Sequence, residues 1–104
     1  MGELTNQSQN VAGNGLAEDI GIELPPEKSV VFYNDDFTTM DFVVDVLISI
    51  FNKSHDDAVT IMQTVHEHGS AIVGTYTFDI AVSRANLTKT IAKKNGFPLR
   101  VEIE

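Results

Sequence analysis

Val30-Val31-Phe32-Tyr33-Asn34-Asp35-Asp36-Phe37-Thr38-Thr39-Met40-Asp41-Phe42-Val43 is the stretch from which the fold of this chain is read. Val30, Val31, Phe32 and Tyr33 favour extended backbone and read as a buried strand. Asn34, Asp35 and Asp36 form turns, because their side chains hydrogen-bond the nearby backbone. Thr38 and Asp41 are spaced as a capping box that opens a helix, with Asp in place of the usual Glu or Gln. The junction therefore points amide and carboxylate oxygens out of a strand end, next to Met40 and Val43. An acidic, hydrogen-bonding rim beside apolar side chains suits a ligand with one cationic and one apolar end.

The rest of the chain bounds what such a junction can serve. With 104 residues, 42% of them hydrophobic and 21% charged, the chain is one small globular domain. The formal net charge of −8 argues against nucleic acid, which is bound by clustered Lys and Arg, and against an anionic membrane surface. No run of 18 apolar residues and no basic-then-apolar leader is present, so no membrane association is expected. The absence of cysteine removes disulfides and thiolate metal sites and fits a reducing compartment.

Residues 1–27 carry Glu3, Glu18, Asp19, Glu23 and Glu27 but no Lys, Arg or aromatic residue. They hold too little apolar surface to offset ordering entropy and read as a flexible acidic arm, closed by Pro25-Pro26. The folded domain is expected over 28–104. After the opening turn, Phe42, Val43, Val46, Leu47, Ile50 and Phe51 recur on one side of a helix, with Asp41, Asp45 and Ser49 opposite. Ser54 caps a second helix whose apolar stripe is Ala58, Ile61, Met62 and Val65, and Gly69 stops it.

The stretch 71–76 reads as a second strand, with Gly74 as a bulge or a point of close approach. Thr77 caps a third helix with Asp79 in its first turn. Ala81, Ala85, Thr88 and Ala92 form its small-residue side, flanked by Ile80, Leu87 and Ile91. Asn95-Gly96 and Pro98 end it, and 99–104 alternates as a strand with one wet face. The expected architecture is a compact α+β sandwich, a three-stranded antiparallel sheet packed with three helices in the order β-α-α-β-α-β.

Three chemistries compete for the junction. Asp35, Asp36, His66 and His68 could serve a metal-assisted hydrolase, although His66 and His68 at i and i+2 point to different helix faces. The acidic surface could be a generic interaction domain for a basic partner. The third uses His66, which shares a helix face with Met62. If the second helix packs by the turn, the Asn34 carbonyl, the Asp36 carboxylate and a neutral His66 would bracket an ammonium through its three N–H donors.

The segment 34–43, then Met62-x-x-Val65-His66, then Gly74, then Pro98-Leu99, looks like the ClpS family of proteolytic adaptors. The similarity runs in order from about residue 30 to the C-terminus, roughly three quarters of the chain. The resemblance implies an N-degron (N-end rule) adaptor and no catalysis. Such a domain binds substrate proteins beginning with Leu, Phe, Tyr or Trp and delivers them to the N-terminal domain of a Clp-type AAA+ unfoldase. By similarity, Asn34, Asp36 and His66 would hold the α-amino group, with Asp35 and Thr38 at the rim. Phe32, Met40, Val43, Met62, Val65 and Leu99 would belong to the side-chain pocket, and Asp79 and Arg84 to the unfoldase contact. The arm resembles the segment that the unfoldase engages. A monomer without cofactor or metal is implied, in the cytoplasm or a plastid stroma.

The chain departs from the family pattern at four positions. Phe32 stands where Leu or Ile is common, and a bulkier pocket wall is expected to favour Leu over Trp. Thr39 replaces a common Pro, which should loosen the turn slightly without removing the cap. Asp79 and Arg84 stand where Glu and Lys are usual, keeping charge but changing reach.

Overall fold

The structure is a computed structural model and describes residues 24–104. Most of the arm expected over 1–27 lies outside the described residues. The elements are β1 (Glu27–Tyr33), α1 (Met40–Ser49), α2 (His55–His68), β2 (Ser70–Thr77), α3 (Phe78–Lys94) and β3 (Arg100–Ile103). This is the expected α+β order.

The opening strand is the middle of the sheet. The strand order is β2-β1-β3, and both pairings are antiparallel. The central strand is paired along both edges, and Val30, Val31 and Phe32, apolar in succession, are all buried in it. β1 begins at Glu27, three residues before the apolar run. Glu27, Lys28 and Ser29 pair with Thr77, Tyr76 and Thr75 through the backbone, which needs no apolar side chain.

β2 carries a bulge beside Gly74. Val30 opposes Gly74 while Val31 opposes Ile72, so Val73 is the extra residue. The bulge shifts the side-chain phase by one, so Val73 is buried and Tyr76 still packs against the core. The space over Gly74 is taken by the Tyr76 side chain. A Cβ there would lie 2.5 Å from the Tyr76 hydroxyl oxygen and 2.8 Å from its ring carbon Cζ.

The helices cover one sheet face. Val30, Phe32, Val73 and Val101 from the sheet meet Val43, Val46, Leu47, Ala58, Val65, Ala81, Ala85 and Ala92 in one cluster. Phe32 and Phe51 pack edge to face, with ring centroids 5.6 Å apart. Ala81, Ala85, Thr88 and Ala92 are the buried side of α3, as their small size predicts. Thr88 is fully buried without penalty because its hydroxyl donates to the Arg84 carbonyl at 2.8 Å. Ile80 and Leu87, which flank that side, are 44% and 50% exposed. The small stripe already fills the helix–sheet contact and leaves them outside it.

The caps correct one reading and confirm another. The N-cap of α1 is Thr39, whose hydroxyl oxygen accepts from the Phe42 N–H at 3.1 Å. Thr38 is not the cap, and no Thr38–Asp41 capping box forms, because the Thr38 hydroxyl donates to Asp35. Thr39, set by the resemblance in place of a common Pro, thus supplies the cap itself. Ser54 caps α2 as expected, accepting from the Asp57 N–H at 3.1 Å, and Gly69 ends it with φ 91°. Thr77 is the N-cap position of α3 but makes no side-chain cap bond.

The wet face of β3 meets β1 through polar groups. The Tyr33 hydroxyl donates to the Glu104 carboxylate, and that bond leads the causes holding the phenol above its ordinary pKa. The Arg100 guanidinium lies 4.2 Å from the Tyr33 ring centroid, and its Nε donates to Glu102 at 3.2 Å.

Candidate functional site

The site is built on the turn between β1 and α1. Asp35 Oδ1 accepts from the backbone N–H of Phe37 at 2.8 Å and of Thr38 at 2.7 Å. Asp35 Oδ2 accepts from the Thr38 hydroxyl at 2.7 Å. Partial burial pushes the Asp35 carboxyl up, but these three hydrogen bonds outweigh it and hold its pKa below the ordinary 3.8. Asp35 is therefore an internal brace with its acceptors committed to the turn.

Neighbouring Asp36 has no hydrogen bond of this kind and stands exposed. Asn34, also exposed, is fixed through its backbone. Its N–H donates to the Gly69 carbonyl at 2.9 Å. Gly69 is the αL cap that ends α2, and its own N–H closes on the Val65 carbonyl at 2.9 Å. One chain of bonds thus ties the strand end to the last turn of α2, where Val65 and His66 sit.

The result is a cleft of about 400 Å³ between the turn, the start of α1 and the end of α2. Asn34, Asp35, Asp36, Phe37, Thr38, Thr39 and Met40 line one side, with Val43, Met62, Val65 and His66 completing it. Asn34, Asp36 and His66 are exposed at its polar edge, while Val43 and Val65 are buried at its base. Met62 is half-buried and Met40 is 45% exposed, so two flexible thioethers form the adjustable part of the wall.

Nine of the residues singled out from the sequence come together here: Asn34, Asp35, Asp36, Thr38, Met40, Val43, Met62, Val65 and His66. Phe32 and Leu99 do not line the cleft. Phe32 is fully buried in the core against Phe51, and Leu99 is buried in the same cluster. The Phe32 ring is fully buried between the sheet and the helices, so it is no exposed pocket wall. Phe37 and Thr39 line the cleft and were not among the expected site residues. Phe37 is 74% exposed in a turn, outside any apolar period, and an aromatic set among turn-formers was its only signal.

Asp79 and Arg84 lie on α3, which contributes no lining residue to the cleft. Arg84 is positioned by Tyr76, its guanidinium carbon 5.0 Å from the ring centroid. The hydrolase alternative finds no geometry to support it: among the described residues no group of three or more His, Cys, Asp or Glu is placed to hold a metal. No described helix is long and apolar enough to cross a membrane.

Residues 23–102 match the family model described as ATP-dependent Clp protease adaptor protein ClpS. The ATP-dependent Clp protease adapter protein ClpS of Treponema denticola is 52% identical over 80 residues, spanning 77% of this chain and 79% of that one. The protein of the same name from Clostridium acetobutylicum is 46% identical over 80 residues, with the same two shares. Among solved structures, Agrobacterium tumefaciens ClpS2 bound to L-phenylalaninamide superposes with a TM-score of 0.75 at 37% identity, covering 78% of this chain and 98% of that one. The match spans the sheet, all three helices and the cleft, and the chain belongs to the ClpS family of ATP-dependent Clp protease adaptors.

Proposed function

We propose that the cleft receives the first residue of substrate proteins, taking a free α-amino group together with a bulky hydrophobic side chain (Leu, Phe, Tyr or Trp). The observation that carries this reading is the joining of two unlike surfaces in one cleft. Asn34, Asp36 and His66 offer oxygen and nitrogen acceptors at the edge, and Met40, Val43, Met62 and Val65 offer an apolar wall. An α-ammonium is a compact cation with three N–H donors. An amide oxygen, a carboxylate and a neutral imidazole can each accept one.

The two halves do different work. An apolar pocket separates side chains by only about 1–3 kcal/mol per methylene and cannot reject hydrophobic residues inside a chain. The ammonium site supplies that rejection, because an internal residue has neither the charge nor the donors. The ligand named with the Agrobacterium tumefaciens ClpS2 structure, L-phenylalaninamide, pairs a free α-amino group with an apolar side chain, which agrees with this division.

The captured substrate passes to the N-terminal domain of a Clp-type AAA+ unfoldase, with Asp79 and Arg84 as the docking pair and residues 1–27 as the segment engaged during transfer. The domain itself performs no chemistry. A fluorescent peptide with free N-terminal Leu or Phe is expected to bind in an anisotropy titration. Equal affinity after N-terminal acetylation would sink the reading.

A further inference from the structure

The chain contains no cysteine and three methionines, Met1, Met40 and Met62. Of these, Met40 and Met62 belong to the described residues, and both line the cleft. All the sulfur of the described residues therefore stands in the surface that meets an apolar first residue. No thiol is present to take up an oxidant ahead of it.

The two thioethers differ in access. Met40 opens α1 and is 45% exposed, within reach of a peroxide in solution. Met62 is half-buried and packs against the core, between the cleft and a neighbouring groove that holds Val44, Ile48 and Val59. Oxidation at Met40 is a two-electron step. The Sδ lone pair attacks one oxygen of hydrogen peroxide and the O–O bond breaks. The proton on that oxygen passes to the departing one, which leaves as water, and the thioether becomes a sulfoxide. The sulfoxide is polar, and its oxygen accepts hydrogen bonds. Seating a Leu or Phe side chain against it strips that oxygen of water. The nearby wall of Val43, Met62 and Val65 offers no side-chain donor in return.

We infer that Met40 is an oxidation site, at which hydrogen peroxide turns down the capture of hydrophobic first residues and a methionine sulfoxide reductase restores it. The inference rests on the proposed seating of the first residue in the cleft. Asn34, Asp36 and His66 keep their acceptors through the change, so the requirement for a free amino group is untouched.

For the test, the full chain is treated with hydrogen peroxide until peptide mapping by mass spectrometry shows an added oxygen on Met40. It is then titrated by anisotropy with a labelled peptide that begins with Leu. Affinity should fall roughly tenfold, the size of leaving one polar group unpaired against an apolar surface. The urea midpoint should stay where it was, because Met40 lies outside the buried core. Methionine sulfoxide reductases A and B, which take one sulfoxide epimer each, should together return the starting affinity. Met40→Leu and Met62→Leu are each compared with their own untreated sample, whatever affinity each begins with. Met40→Leu should be unmoved by peroxide, and Met62→Leu should lose as much as the parent. Full affinity in the Met40-oxidised protein overturns the inference, as does a loss that survives in Met40→Leu or that accompanies a lowered urea midpoint. In each of these cases, a dependence of the untreated protein on a free N-terminal Leu keeps the cleft reading intact. Untreated protein indifferent to the first residue and to its acetylation would overturn the cleft reading, and the oxidation site with it.

Discussion

Asn34 donates its backbone N–H to the carbonyl of Gly69 at 2.9 Å, joining the end of the central strand to the stop of α2. This bond brings Asn34 and Asp36 to the same cleft as Val65 and His66, although about 30 residues separate the two segments in the chain. Gly69 holds φ 91°, and a Cβ there would meet nothing within 4 Å. Gly69→Ala therefore costs backbone strain alone, about 1–2 kcal/mol in urea unfolding. It should also weaken Leu-peptide binding, because the carbonyl that fixes Asn34 moves with the cap.

Asp36→Ala and His66→Ala should each weaken binding of a free-Leu peptide at least tenfold, about 1.4 kcal/mol. Both residues are exposed in the free protein, so unfolding free energies should stay within about 0.5 kcal/mol of the parent. Paired titration and denaturation curves check both halves. A comparable loss of stability would place these residues in the scaffold.

Asp35 makes a prediction about acid. Its folded pKa lies below 3.8, so the ionised carboxylate stabilises the fold above that value, and the contribution is lost as pH falls through the lower folded value. Asp35→Asn cannot ionise. Its stability should be lower at neutral pH and should fall less steeply between about pH 4 and pH 2 in acid-unfolding curves.

Phe32 is a core residue and does not line the cleft. Phe32→Leu should lower stability by roughly 1 kcal/mol and leave the ratio of Leu-peptide to Trp-peptide affinity within about twofold. A marked shift toward Trp would restore the pocket-wall role that the family resemblance implied.

Gly74 and Tyr76 share one space. Gly74→Ala forces a Cβ against the Tyr76 ring and should destabilise by about 1–3 kcal/mol. In a Tyr76→Ala background the same change should be nearly neutral, giving a large coupling energy in a double-mutant cycle. Because Arg84 rests on the Tyr76 ring, Gly74→Ala should also weaken capture by the unfoldase N-terminal domain, a pull-down measurement.

Local physics wrote much of this protein into its sequence. The β-branched and aromatic run at 30–33, the helical periods of 42–51 and 58–65, and the small stripe of α3 each bury their predicted face, because side-chain direction follows backbone period. Ser54 and Gly69 mark the ends of α2 for the same reason: capping is settled within four residues. Six acceptor and apolar cleft residues (Asn34, Asp36, His66, Met40, Val43 and Met62) were legible from residue type and spacing set beside the family resemblance.

What the tertiary structure decided are the choices between equally good local partners. Two adjacent hydroxyls could cap α1, and Thr39 does so because Asp35 takes Thr38. An apolar Phe32 beside the turn fits a pocket wall or a core, and packing against Phe51 on the helix-covered face of the sheet sends it to the core. Phe37 and Thr39 reach the cleft only because the turn folds back on Asp35, which no period reveals. Gly74 reads as a bulge or a close approach. Only the strand register shows that the bulge is Val73, and only the path of Tyr76 shows that Gly74 makes room for the ring. The opening stretch thus set out the parts of the site, and contact across the sheet and the α1–α2 seam decided which of them face the cleft.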